Sequence, residues 1–172
     1  MTTVVAISGS LREGSSNAEL LRAAATVASQ GVQFVFCDAA GELPHFNPDL
    51  DVEGSAPPEL VKRLRELLIG ADAILISCPE YAHGVPGSFK NMLDWLVSTG
   101  ELVGKPVAIL NAAPVGGGYA QKAIVETLRT MNWRVVDEAC RIEPFVKRKG
   151  ALDDEALAEL RDVMNALIAA AG

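Results

Sequence analysis

The chain has 172 residues, 49% of them hydrophobic, with a formal net charge of −7 and a pI near 4.8. That length suits a single domain over residues 1–172 with a full core, and a mean hydropathy of +0.22 argues against disorder. The acidic balance shows no basic face for general nucleic-acid binding, and no apolar run reaches the ~20 residues of a membrane span.

The opening Met1-Thr2-Thr3 has no basic segment and leads directly into a strand, so no secretory leader is expected. Three cysteines, Cys37, Cys78 and Cys140, lie far apart. Their odd number makes a disulfide or zinc framework a poor expectation, and a reducing cytoplasm is the expected location. Cys37 and Cys78 end apolar runs and read as small core residues. His45 and His83 have no partners at metal-ligand spacing.

In chain order, residues 3–8 read TVVAIS, a buried strand. The hydroxyl-rich loop SGSLREGSSN, residues 8–17, follows it. A helix is expected over residues 17–29, with Ser16 and Glu19 as a capping box. A second strand is VQFVFC, residues 32–37, followed by a long loop over residues 38–55. Ser55-Ala56-Pro57-Pro58-Glu59 opens a second helix, because proline is tolerated in a first turn.

The third strand, AILISC at residues 73–78, leads into another extended loop over residues 78–86. Pro86-Gly87 begins a helix with Phe89, Met92, Leu93, Leu96 and Val97 on one face. VAILN, residues 107–111, is a fourth strand; the glycine-rich NAAPVGGGYAQ, residues 111–121, and a helix over residues 120–131 come next. A weaker fifth run spans residues 134–142. Asp153 caps a last helix whose Leu157, Leu160, Val163, Met164, Leu167 and Ile168 recur at helical spacing. Five strand–helix repeats with continuous Val/Ile-rich strands predict an α/β fold: an open, doubly wound parallel sheet with helices on both faces.

In such a sheet, ligands bind beyond the carboxyl ends of the strands, where the strand order reverses. The loop at residues 8–17 lies there, and its N–H groups with the following helix N-terminus favour an anion. It is not a P-loop, since Ser15 stands where lysine is required, nor a dinucleotide fingerprint, since only Gly9 and Gly14 are available. Serine hydroxyls, Asn17 and Arg12 suit one compact phosphate monoester. A polar connector whose Ser16 merely caps a helix is the alternative.

Residues 79–96, PEYAHGVPGSFKNMLDWL, emerge at the same sheet edge. With Gly9-Ser10-Leu11-Arg12, Ser15 and Asn17 in the first loop, and Pro79-Glu80-Tyr81, Pro86-Gly87, Lys90-Asn91 and Asp94-Trp95 in the second, the chain closely resembles the NAD(P)H-dependent FMN reductase family. Its fold is flavodoxin-like, a three-layer sandwich on a five-stranded parallel sheet of order 2-1-3-4-5. LPHFNPDL, residues 43–50, resembles a family loop used at the dimer interface.

The resemblance implies FMN as cofactor, its phosphate on Ser10, Arg12, Ser15, Ser16 and Asn17. It implies that Pro79, Glu80, Tyr81, Ala82, His83 and Gly84 line the ring, mainly through backbone groups. In the third loop, Asn111, Ala113, Gly116 and Gly117 allow close approach to the ring or to a nicotinamide. Glu80 is read as a structural acceptor, or as an ion-pair partner of a second subunit; Lys90, Asp94 and Trp95 are read as helix-face and interface residues. The chain departs from the family pattern at Ala82 (usually Asn), Gly84 (usually Ser) and Tyr119 (usually Arg).

The activity implied is transfer of hydride from NADPH or NADH to flavin, then to a small-molecule acceptor: free flavin, a quinone, an azo compound or chromate. No acid–base residue is needed, and none is assigned as catalytic. A homodimer or homotetramer is implied, with no nucleic-acid or membrane partner. The alternatives are a flavodoxin-type electron carrier without turnover and a weak-flavin relative with a regulatory or interaction role.

Overall fold

The computed structural model of the protein describes residues 1–113, 116–141 and 152–172. In chain order these form β1 (Thr2–Ser8), α1 (Ser16–Val27), β2 (Val32–Cys37), α2 (Glu59–Ile69), β3 (Ala73–Ser77), α3 (Gly87–Leu96), β4 (Pro106–Leu110), α4 (Gly118–Thr130), β5 (Arg134–Val135) and α5 (Asp154–Ala171). Every strand pair is parallel, and the order is β2-β1-β3-β4-β5. That is the expected flavodoxin-like topology. The order reverses between β1 and β3, so the loops leaving these two strands open side by side.

Alternation along the strands sorts the core into two layers. Val5, Ile7, Ile74, Ile76, Val107 and Ile109 face α2, α3 and α4. Val4, Ala6, Ala73, Leu75, Ala108 and Leu110 face α1 and α5. The second face carries three alanines, and the helices over it supply Leu20, Leu21, Ala24, Leu160, Val163, Met164 and Leu167.

Several boundaries differ from the sequence-based expectation. The helix expected at residues 17–29 spans Ser16–Val27, and its N-cap is Ser15, whose Oγ accepts from the Asn17 N–H at 3.2 Å. A capping box of Ser16 with Glu19 is therefore not formed; Ser16 is the exposed first helical residue. Val97 lies beyond the last turn of α3 and is 62% exposed, so it leaves the apolar stripe. Trp95, read as a helix-face and interface residue, is 0% exposed and sits in the core. The fifth strand covers two residues, because the acidic turn Asp137–Ala139 interrupts it before the ladder resumes as a bridge of Arg141 to Leu110. Residue 142, the end of that expected run, lies outside the described residues.

The long loop after β2 is pinned to α3. Pro44 O accepts from Asn91 Nδ2 (3.0 Å) and Trp95 Nε1 (2.8 Å), and the Phe46 N–H donates to Asn91 Oδ1 at 2.7 Å. Arg65 on α2 forks onto both oxygens of Asp51 at 2.9 Å and donates to Trp95 O, closing the loop's far end. Cys37, Cys78 and Cys140 are free thiols, and no helix among the described residues is long and apolar enough to cross a membrane.

Candidate functional site

Strand geometry brings the starts of the first two loops into contact. The Gly9 N–H donates to Ser77 O at 2.9 Å, and a Cβ on Gly9 would lie 2.2 Å from Cys78 Sγ. Only glycine allows this approach. The Cys78 thiol is fully buried, and burial pushes its pKa up to about 12, so it is not a nucleophile at neutral pH.

The first loop folds on its own hydroxyls. Ser8 Oγ accepts from the Ser10 N–H (3.2 Å), and Ser10 Oγ accepts from the Arg12 N–H (3.3 Å). Ser15 satisfies the Asn17 N–H alone; the first-turn N–H groups of Ser16 and Ala18 have no partner among the described residues. Such orphan donors carry the positive pole of α1. Ser77 Oγ donates to Asn17 Oδ1 at 2.9 Å inside the core, which leaves the amide Nδ2 of Asn17 as its donor toward the loop. The Arg12 guanidinium is exposed and forms no ion pair among the described residues. These donors, from backbone, hydroxyl, amide and one cation, have the chemistry that an anion requires.

The second loop is a tight hairpin. Tyr81 and Gly84 exchange N–H···O bonds of 3.0 and 2.9 Å, and the two residues between them, Ala82 (φ 50°) and His83 (φ 60°), are left-handed. That is the pattern of a type I′ turn. Each side chain there costs about 1–2 kcal/mol relative to an ordinary conformation.

The third loop is organised by Asn111, which is fully buried. Its Nδ2 donates to Gly116 O (2.8 Å) and its Oδ1 accepts from the Ala113 N–H (2.9 Å). Gly117 has φ 86°, and a Cβ there would meet the Asn111 amide at 2.8 Å, so the turn into α4 requires glycine twice over.

Two bonds from α4 tie this loop to the second. Glu80 Oε2 accepts from the Ala120 N–H at 2.8 Å, and Gln121 Nε2 donates to Cys78 O at 2.6 Å. Gln121 is 0% exposed, and its Oε1 has no partner among the described residues. An unpaired buried acceptor costs about 1–3 kcal/mol, which the clamp on Cys78 O must offset. At the rim, the His83 and Tyr119 rings stack with centroids 4.3 Å apart and planes 19° from parallel.

The three loops enclose a cleft of about 340 Å³ lined by residues of each. Of the residues singled out in the sequence, Ser10, Arg12, Ser15, Ser16, Asn17, Pro79, Glu80, Tyr81, Ala113 and Gly117 line it. Ala82, His83, Gly84, Asn111 and Gly116 are not among its lining residues; Asn111 and Gly116 bond to each other at 2.8 Å. Sequence reasoning missed Ala112, which lines the wall, and Gln121. The one sequence signal for Gln121 is a polar residue on the face of α4 that otherwise buries Ala120, Ile124, Val125 and Leu128.

Residues 2–145 match the family described as NADPH-dependent FMN reductase. An NAD(P)H-dependent FMN reductase of Pseudomonas aeruginosa is 38% identical over 129 residues, covering 73% of this chain and 68% of that protein. An NADPH:quinone oxidoreductase of Arabidopsis thaliana is 39% identical over 120 residues, 67% of this chain and 59% of that one. Among solved structures, FerB, a flavoenzyme NAD(P)H:(acceptor) oxidoreductase of Paracoccus denitrificans, superposes with a TM-score of 0.83 at 26% identity, covering 99% of this chain and 97% of that one. The donor-rich first loop, the hairpin beside it and the sheet order accord with these matches, and the chain belongs to the NADPH-dependent FMN reductase family of oxidoreductases.

Proposed function

We propose that this chain binds FMN in the three-loop cleft and acts as an NAD(P)H oxidoreductase whose second substrate is a planar quinone-type acceptor. The observation that carries the reading is the convergence, at one sheet edge, of an anion site at the α1 N-terminus with a wall of backbone from the second and third loops. The residues present fit the cofactor. Free first-turn N–H groups at Ser16 and Ala18, the Ser10 hydroxyl, Asn17 Nδ2 and the Arg12 guanidinium suit a phosphate dianion. Pro79, Glu80, Tyr81, Ala112, Ala113 and Gly117 offer a flat, largely backbone surface to a ring. The cleft volume falls within the range of small-molecule sites.

FMN held by these residues would supply the redox chemistry between a nicotinamide and the acceptor. The protein's part is positioning. Arg12 and the serines anchor the tail; the short hairpin fixes the height of the wall; Tyr81, 58% exposed, and Tyr119, 64% exposed, present aromatic faces at the rim against which a planar second substrate stacks. Tyr81 lines the cleft, and Tyr119 has one ring face stacked on His83 and is 64% exposed. Those faces favour a planar ring over a compact oxyanion such as chromate. The names of relatives support the same choice, among them a quinone reductase of Pseudomonas putida, 34% identical over 131 residues. Association as a homodimer or homotetramer belongs to the proposal, with exposed Leu50, Val52 and Val97 as the apolar surface available to it; so does a cytoplasmic location.

The test is a flavin spectrum of the purified protein reconstituted with FMN, anaerobic titration with NADPH and NADH, and turnover with a quinone, an azo dye and chromate. Bleaching by nicotinamide and quinone turnover are expected. Flavin binding without turnover would make the chain an electron carrier; no flavin binding would remove the assignment.

A further inference from the structure

We infer that Glu80 is a positioning residue of the redox site, acting through the N-terminus of α4 rather than on a substrate. The inference rests on the FMN reading above and deepens it. Glu80 stands on the cleft wall between Pro79 and Tyr81, and its Oε2 accepts from the Ala120 N–H at 2.8 Å. One residue further along α4, Gln121 Nε2 donates to Cys78 O at 2.6 Å. The first turn of α4 therefore grips the second loop at two points, residues 78 and 80, on either side of Pro79. The carboxylate also meets the positive end of the helix, where a negative charge is favoured. Glu80 has no ion-pair partner among the described residues, so Ala120 N–H is the contact that orients it.

The consequence is mechanical coupling. The wall at residues 79–81 and the third loop, whose Ala113 and Gly117 form the facing wall, move as one body while the clamp holds. Two bonds hold the walls together, and the one nearer the cleft, from Glu80, is removable at a single residue. Releasing it leaves only the Gln121 tie at residue 78, frees residues 80 and 81 from α4, and loosens the hold on any flat ring between the walls.

The experiment compares Glu80→Ala with Glu80→Gln. Glutamine keeps an acceptor oxygen at the same reach; alanine removes it. The first readout needs no cofactor: hydrogen exchange of the Ala120 amide in the apoprotein should accelerate at least tenfold in Glu80→Ala and stay within about threefold of wild type in Glu80→Gln. The second is FMN affinity, which should weaken at least fivefold in Glu80→Ala with substantial rescue in Glu80→Gln. The third is the kinetic split: kcat should fall in Glu80→Ala more than the KM for nicotinamide rises. Circular dichroism confirms that each variant is folded. Wild-type exchange and FMN affinity in Glu80→Ala would overturn the inference, as would a Glu80→Gln variant as impaired as alanine. Wild-type protein that fails to bind FMN would instead refute the underlying function, which separates the two failures.

Discussion

Gly9→Ala tests the contact that holds the first two loops together. The added Cβ would lie 2.2 Å from Cys78 Sγ, 2.9 Å from its Cβ and 3.1 Å from its Cα, against ordinary carbon contacts of about 3.5–4.0 Å. Neither partner can swing away cheaply: Gly9 is held by its N–H on Ser77 O at 2.9 Å, and Cys78 is 0% exposed. Relief requires the ends of β1 and β3 to part. Overpacking of a tight core costs about 1–3 kcal/mol, and a clash that includes backbone belongs at the upper end, about 3 kcal/mol. Cys78→Ala deletes the nearest of the three atoms but leaves Cβ and Cα, so Gly9→Ala in that background should cost roughly 1–1.5 kcal/mol less. Urea unfolding of the four proteins of this cycle measures the coupling. A Gly9→Ala protein within 0.5 kcal/mol of wild type, or a cycle with no coupling, would show that the strand ends are not packed as described.

Arg12→Ala should weaken FMN binding by about 1.5–3 kcal/mol, the worth of a hydrogen bond to a charged group, or roughly 10- to 100-fold, in a fluorescence titration; unchanged affinity would take Arg12 out of the site. Ala82→Asn should raise stability by about 1 kcal/mol, because asparagine tolerates the left-handed φ of 50° better than alanine; thermal unfolding would show the opposite sign if the turn were not of this type. Burial holds the Cys78 thiol protonated up to about 12, from an ordinary 9.0. Between those values the unfolded chain releases a proton that the folded chain keeps, so this contribution to stability is complete below pH 9 and is lost as pH rises toward 12, by about 1.4 kcal/mol per unit. Unfolding at pH 9, 10 and 11 should show a gentler decline in Cys78→Ala than in wild type; identical slopes would refute the burial of the thiol.

The architecture was legible because its signals are local. Apolar runs such as AILIS and PVAIL are buried at every residue, and Pro57-Pro58, Pro86-Gly87 and Asp153 announce helix starts that the structure places within one residue. That the first loop gathers donors at a helix start was legible from its serines, glycines and Arg12, since such a cluster needs only near neighbours in sequence. What escaped was non-local. Trp95 looks like a surface aromatic until the Pro44 carbonyl, 51 residues away, is seen to accept from its Nε1. Gln121 gives no sign that its partner is Cys78 O, 43 residues back. Ser15 rather than Ser16 caps α1 because the chain turns one residue earlier, a difference that hydroxyl spacing alone does not encode. The left-handed turn at Ala82 and His83 was equally out of reach, because neither residue type announces a positive φ.

The unequal bulk of the side chains on the two sheet faces sets how the molecule tolerates change. Beneath α1 and α5 the sheet presents Ala6, Ala73 and Ala108, each at most 1% exposed, so any enlargement there acts as a wedge. On the opposite side Ile74, Ile76 and Ile109 fill the space under α2 to α4, and there it is pruning that leaves voids. Because α1 carries the anion end of the cleft, a wedge at Ala6 would tilt that end away from its opposite wall and loosen the ligand before it unfolded the chain, whereas pruning at Ile76 would soften the fold first.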